Sequence, residues 1–533
     1  MTQAGTELQP PMKWNAWGDP QAARPLSDGI KALLKQALGV EGPAAPDLDI
    51  ADVRVRPSAL TDADRNALQG AVGAPFCRVD DSSRLLRSGG KSTLDLLRRK
   101  DTGVQDAPDA VLFPADENDV AEILRVCGER RIAVVPFGGG TSVVGGLDPE
   151  RGDFAAVISL DLRRLDALHS LDEVSGEAEL GAGVTGPRAE ELLGARGFSL
   201  GHFPQSFQFA TIGGFAATRS SGQDSAGYGR FDDMVRGLRV VTPAGVLDLG
   251  RAPASAAGPD LRQLMLGSEG VFGIITSVRV RVHPVSRSTR YEAWSFPDFG
   301  TGADALRAVV QTGTGPTVIR LSDEVETGVN LATTESIGEQ SITGGCLAIT
   351  VFEGSPAHTE SRHAETAALL RSRGATSLGE AAARNWEHGR FGAPYLRDSL
   401  LSAGALCETL ETATTWAGVP ALKAAVTAAL TESLGQALVM CHISHVYPTG
   451  ASLYFTVVAA QQGDPIEQWR RAKAAASDAM VRTGATITHH HAVGADHRPW
   501  MQAEIGDLGV DVLRAVKARL DPAGILNPGK LIP

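Results

Sequence analysis

Cysteine is scarce and unpatterned. The chain has 533 residues and five cysteines, Cys77, Cys127, Cys346, Cys407 and Cys441, odd in number, widely spaced and without a Cys-x-x-Cys pair. That spacing offers neither a disulfide framework nor a zinc site, and it fits a reducing compartment. No metal is expected. Long apolar runs are missing too: none approaches the roughly 18 residues of a spanning helix, and the polar stretch 1–11 has no apolar core for a signal peptide. The expected location is the cytoplasm, with at most peripheral contact with a membrane. Positive charge is in deficit, 50 Lys and Arg against 62 Asp and Glu for a net charge of −12. An acidic surface argues against nucleic acid as a partner and leaves any phosphate site to backbone dipoles and a few arginines. There is no solenoid repeat and no charge block long enough for a binding tail.

What is present is globular: 43% apolar and 21% charged residues over a length that calls for two or three domains. Residues 1–105 read as helices and loops, with Ile30, Leu33, Leu34, Ala37 and Leu38 on one helical face. The cluster Met12-Lys13-Trp14-Asn15-Ala16-Trp17-Gly18 is unusual for a tail and predicts packing onto the body. Strands and helices alternate over 106–285, with a helix from Asp116 that buries Val120, Ile123, Leu124 and Cys127. A second domain covers 286–485, and 486–533 holds a histidine cluster, a helix near 510–520 and a Pro/Gly-rich end.

Within the alternating region a β-branched run at 131–135 leads into Pro136-Phe137-Gly138-Gly139-Gly140-Thr141-Ser142. Three glycines give the main chain its freedom and expose a row of N–H donors, the chemistry a phosphate needs. A bare triple glycine also serves as a surface turn; Gly145, Gly146 and the preceding strand favour the cradle. No Gly-Lys-Ser/Thr follows, so it is not a Walker loop. Gly181-Ala182-Gly183-Val184-Thr185-Gly186 matches G-x-G-x-x-G, but no acidic residue about 20 positions on could hold a ribose, so a tight strand-to-helix turn is the better reading. Three more Gly/Ser/Thr-rich stretches follow, around 201–214, 218–222 and 267–276. Together these loops would suit one long, doubly anionic flavin dinucleotide.

The 136–142 loop, Gly267-Ser268-Glu269-Gly270 and the terminal Asp521-Pro522 with Ile525-Leu526-Asn527-Pro528-Gly529-Lys530 resemble the vanillyl-alcohol-oxidase (PCMH-type) flavoprotein superfamily. Within it the alkyldihydroxyacetonephosphate synthase family is similar from end to end. Lys13-Trp14-Asn15-Ala16-Trp17-Gly18, the run 202–222, Val318-Ile319-Arg320-Leu321-Ser322-Asp323, Tyr395-Leu396-Arg397-Asp398, Ala451-Ser452-Leu453-Tyr454-Phe455 and Thr488-His489-His490-His491-Ala492-Val493-Gly494 carry the likeness. It implies an α+β fold, a bipartite PCMH-type FAD-binding domain interrupted by a cap domain with an antiparallel sheet and flanking helices. It also implies non-covalent FAD on four segments: 136–142; Gln205, Ser206, Phe207, Gln208, Phe209, Ala210 and Thr211; Thr218, Arg219, Ser220 and Ser221; and Glu269, Gly270, Val271, Phe272, Gly273, Ile274 and Ile275.

The implied reaction is redox-neutral: the acyl chain of acyl-dihydroxyacetone phosphate is exchanged for a fatty alcohol, with the flavin N5 holding the ketose phosphate as an adduct. Tyr454 stands at the family's acid/base tyrosine, though a phenol near ~10 is a poor base unless tuned. His489, His490 and His491 could relay its proton. On a strand the first and third face one way and the second the other, so convergence requires a turn. His202 and Arg320 match site residues; Arg397 is the better fork for a substrate anion, with Arg320 bracing behind it; Thr409 replaces a serine. Gln205 and Phe203 replace acidic residues, and the segment 324–345 is short and polar where the family has an apolar wall near its lipid tunnel. That departure keeps a second reading open, an FAD-dependent oxidoreductase of a 2-hydroxy acid. The family also implies a lipid small-molecule substrate and a homodimer.

Overall fold

The computed structural model describes residues 12–23, 25–40, 48–100, 103–333 and 345–533. The stretch 1–11 and residues 334–344 of the polar segment, including Thr334, Glu335, Ser336, Glu339 and Gln340, lie outside the described residues.

A four-stranded sheet runs in the order Cys77–Arg78, Ala110–Leu112, Ala156–Asp161, Ile132–Phe137, the last three parallel. Helix Glu117–Arg130 makes the crossover. The Asp116 carboxylate caps it by accepting from the Asn118 and Asp119 N–H groups, and Val120, Ile123, Leu124 and Cys127 are buried against the sheet. Burying each such side chain contributes about 1.5–3 kcal/mol. An antiparallel sheet follows, ordered Leu168–Asp172, Glu177–Gly181, Ile274–Arg281, Val235–Thr242, Gly245–Leu249. The G-x-G-x-x-G stretch joins Glu177–Gly181 to helix Gly186–Gly194. A Cβ on Gly183 would stand 2.1 Å from the Leu162 carbonyl oxygen, so this glycine serves main-chain packing.

The third sheet has seven antiparallel strands: Thr376–Gly379, Ser288–Phe296, Cys346–Gly354, Val318–Ser322, Ala437–Tyr447, Gly450–Ala460 and Ala405–Thr415. Helices Phe299–Thr312, Pro356–Ser372, Val419–Leu434 and Pro465–Arg482 bury one face of it in a core that includes Trp294, Leu321, Leu453, Phe455 and Trp469. The strand alternation then turns Tyr454 the other way.

The end of the chain returns to the first sheet, where Leu526 bridges Val134 and the Asn527 amide donates to the Gly146 and Glu269 carbonyls. Helix Met501–Leu520 is interrupted at Gly506. At the other end, Trp14 and Trp17 are buried. Lys91 and Arg99 donate to the Trp14 carbonyl, and the Asp398 carboxylate accepts the Trp17 N–H. Helix Asp28–Leu38 buries Leu34 and Leu38 beside Leu400, Cys407 and Val458 of the seven-stranded half. All five cysteines are free and buried. Among the described residues no helix is long and apolar enough to cross a membrane.

Candidate active site

The separated glycine-rich stretches meet. A Cβ on Gly139 would lie 2.0 Å from the Phe209 carbonyl oxygen, one on Gly138 2.4 Å from Thr211 Oγ1, and one on Gly270 2.3 Å from the Pro136 ring. The Gly267 and Glu269 N–H groups donate to the Ala216 and Ala217 carbonyls. Glycine is thus required where three of these segments cross, and the crossing brings their main-chain amides to one place. In the 201–214 stretch, Gln205 Nε2 is buried without a partner among the described residues, a donor suited to the edge of a flavin ring. The residues present fit FAD.

Several side chains of these segments are committed elsewhere. Ser142 Oγ accepts from the Gly146 N–H. Thr211 Oγ1 caps helix Ile212–Thr218, and Thr218 Oγ1 donates to the Gly214 carbonyl. Arg219 donates to Asp232 and to the Leu266 and Gln263 carbonyls. The Glu269 carboxylate accepts from the Val493 and Gly494 N–H groups, and burial pushes it up to about 7. Val271, Phe272, Ile274 and Ile275 are core residues. Phe207 stacks on Phe391, Phe209 meets Trp17 edge-on, and Gln208 is exposed. What these positions can offer a ligand is mainly backbone.

On the seven-stranded sheet, cross-strand register sets Glu411, Tyr454 and His442 side by side on three adjacent strands. Tyr454 stacks on His442 at 4.9 Å and on His490 at 6.0 Å, each at 19°. Burial lifts its phenol to about 12, although a hydrogen bond with Thr409 and the charge of Arg397 pull the other way. His442 Nδ1 lies 2.9 Å from both Glu326 Oε2 and Arg320 Nη2, and one proton can serve only one contact. Arg320 already donates to Glu326, whose carboxyl is held down at about 2 because His442 and Arg320 outweigh burial. Donation of Nδ1–H to the Glu326 carboxylate places the His442 lone pair on Nε2.

The histidine tract is not a strand. It bends around Glu411, whose carboxylate accepts the N–H groups of His489, His490 and His491 at 2.5, 3.1 and 2.9 Å and the Thr488 hydroxyl. That bend brings all three rings near Tyr454 or its neighbours, which strand alternation would forbid. Burial keeps the rings neutral, pushing His489, His490 and His491 down to about 3, 4 and 3. His445, His489 and His490 offer nitrogens within 4.8 Å of one another. The His445 and His489 rings stack at 24°, so their in-plane lone pairs run side by side, and Arg230 adds positive charge nearby. This is poor geometry for a shared cation.

His202 sits apart from this row, its Nε2 on Ser220 Oγ at 3.1 Å and its ring against Phe215 and Phe231. Arg397 is 8% exposed, and its fork is taken by Asp398 and the Lys91 carbonyl. A substrate anion would have to displace Asp398, which also anchors Trp17. Arg320 contacts Glu326 and His442 through Nη2, and among the described residues its Nε and Nη1 have no side-chain partner. His442, His445, Glu326, Glu411 and Tyr447 belong to the site although the sequence did not single them out. The Cys441-His442-Ile443-Ser444-His445 alternation was the available signal.

Residues 108–250 match the FAD binding domain family, and 285–531 the C-terminal domain of FAD linked oxidases. The chain is 31% identical to the alkyldihydroxyacetonephosphate synthase of Trypanosoma brucei brucei, over 98% of this chain and 92% of that one. It is 30% identical to the synthase of Dictyostelium discoideum, over 99% and 94%. A solved alkyldihydroxyacetonephosphate synthase superposes with a TM-score of 0.82 at 28% identity, covering 97% of this chain and 98% of the other. With likeness of this extent in sequence and in fold, and with a cleft that fits the cofactor, the chain belongs to the FAD-dependent alkyldihydroxyacetonephosphate synthase family.

Proposed function

We propose that this protein exchanges the acyl chain of acyl-dihydroxyacetone phosphate for a fatty alcohol without net redox. The observation that carries the reading is the row Glu411–Tyr454–His442 facing the bent histidine tract, polar groups assembled beside a cleft built for FAD. FAD, held non-covalently by the four segments 136–142, 205–211, 218–221 and 269–275, would supply an electrophilic ring at the site. The protein's part is proton handling and orientation. His442 offers a lone pair on Nε2 beside the Tyr454 ring and can hold the proton taken from C1. Tyr454, lifted to about 12, acts as a donor rather than a standing base. Arg320 has N–H groups left for an anionic oxygen, whereas Arg397 braces the N-terminal tryptophan segment and adds its charge at a distance. Thr409 orients the Tyr454 hydroxyl.

In this reading 106–285 is the cofactor half, 286–485 the cap, 486–533 the return to the site, and 1–105 the N-terminal region. Homodimerisation and peripheral membrane contact belong to the same proposal; light scattering and flotation with liposomes test them. The catalytic reading is tested by incubating the yellow protein with acyl-dihydroxyacetone phosphate and isotope-labelled hexadecanol. Labelled ether product with one free fatty acid per turnover is expected. Release of fatty acid without an ether product would overturn it.

A further inference from the structure

Two neutral imidazoles in contact through one pair of nitrogens need one donor and one acceptor. His489 Nδ1 and His490 Nδ1 lie 2.9 Å apart. At the other end of its ring, His489 Nε2 meets the Tyr447 hydroxyl at 2.5 Å. The Arg230 guanidinium, itself held by Asp232, places its charge beside the same phenol. A neighbouring cation strengthens the phenol as a donor, and His489 Nε2 is the one side-chain acceptor for its hydroxyl among the described residues, so the phenol proton goes to His489 Nε2. Were His489 the donor, the phenol proton would have no acceptor among the described contacts. His489 therefore carries its single proton on Nδ1 and gives it to His490 Nδ1, 2.9 Å away and nearer than the Glu411 carboxylate at 3.4 Å, and His490 carries its own on Nε2. Ser221 and Ser225, at 3.1 and 2.7 Å from His445 Nδ1, hold the next ring in the stack.

We propose that Tyr447 is a positioning residue: acting through His489, it fixes His490 as an Nε2–H donor, so that His490 presents a proton to a substrate oxygen and does not serve as the base. What that donor assists rests on the exchange reaction proposed above. The counterpart stands across Tyr454, where Glu326 fixes His442 in the opposite tautomer with its lone pair on Nε2. One side of the tyrosine then accepts and the other donates. Removal of a proton beside the ketone and departure of a carboxylate call for that division.

Nitrogen-15 spectra of the holoenzyme labelled at histidine distinguish the two tautomers directly, with His489→Gln and His490→Gln to assign the signals. At neutral pH the expected pattern is Nδ1–H for His489 and Nε2–H for His490. In Tyr447→Phe, which keeps the ring and removes the donor, that pattern breaks. The flavin band is retained, and kcat for exchange falls about 10- to 100-fold while KM changes little. A native His489 protonated on Nε2 would overturn the proposal, and that observation does not depend on Tyr447→Phe. So would a Tyr447→Phe enzyme with both tautomers and kcat unchanged. Because the spectra require no substrate, a correct tautomer pattern in an enzyme that makes no ether would condemn the reaction and spare the assignment.

Discussion

Tyr454 is held between two imidazoles and close to Thr409, in surroundings that keep its phenol protonated near neutrality. Tyr454→Phe keeps the stacking and removes only the hydroxyl. Exchange should fall about 10²- to 10⁴-fold, with FAD bound and melting temperature nearly unchanged; near-normal turnover in a rapid-quench assay would remove the hydroxyl from the mechanism. Glu326→Gln leaves His442 Nδ1 facing an amide and Arg320 without its ion pair. The expected result is a rise in KM together with a loss of kcat, read from initial rates over a range of substrate concentration. The resemblance made Tyr454 and the triple histidine legible. It left out Glu326 and Glu411, because their meaning lies in partners 116 and 78 residues away. A lone glutamate in a helix or strand carries no mark of such a partner. Arg397 was legible as a fork but not as one already filled by its own neighbour, Asp398.

At the scale of elements, the glycine loop works by close approach. Gly139→Ala would drive a methyl against the Phe209 carbonyl, 2.0 Å from the ideal Cβ position. That variant should purify colourless or lose FAD on gel filtration, while far-ultraviolet circular dichroism stays near the native spectrum. Retention of a full complement of flavin would show that the crossing of the two segments does not shape the cofactor cleft. Local elements were readable from the chain: the Asp116 cap, the apolar face of helix Glu117–Arg130 and the strand before the loop all follow from spacing. The histidine tract was not, since its bend is imposed by the Glu411 carboxylate from another strand. Nor does spacing reveal a sheet order in which Val318–Ser322 separates Cys346–Gly354 from Ala437–Tyr447, because such pairing depends on contacts distant in sequence.

For the molecule as a whole, buried ionisable groups set the acid limit. His202, His489, His490 and His491 lie at about 3 to 4, and His442, His445 and His497 are also lowered, all chiefly by burial. As pH falls below about 6.5 the unfolded chain takes up protons that the folded one refuses, so these groups cost stability in acid. Glu269, Asp148 and Asp224, raised to about 7 by burial, act oppositely, since the folded chain takes up their protons first. The histidines outnumber them, and each net proton contributes about 1.4 kcal/mol per pH unit. Melting temperature, followed by flavin fluorescence, should therefore drop steadily between pH 6.5 and 4.5; a flat profile would mean the rings are not held neutral.

The proposed exchange of chains on FAD consumes no electrons. The most direct measurement is the visible absorption of the oxygen-free holoenzyme with acyl-dihydroxyacetone phosphate and a fatty alcohol, and separately with 2-hydroxy acids. Ether formation is expected, with the oxidised flavin spectrum restored at the end of turnover and no response to the hydroxy acids. Stoichiometric bleaching by a 2-hydroxy acid, with no ether formed, would contradict it.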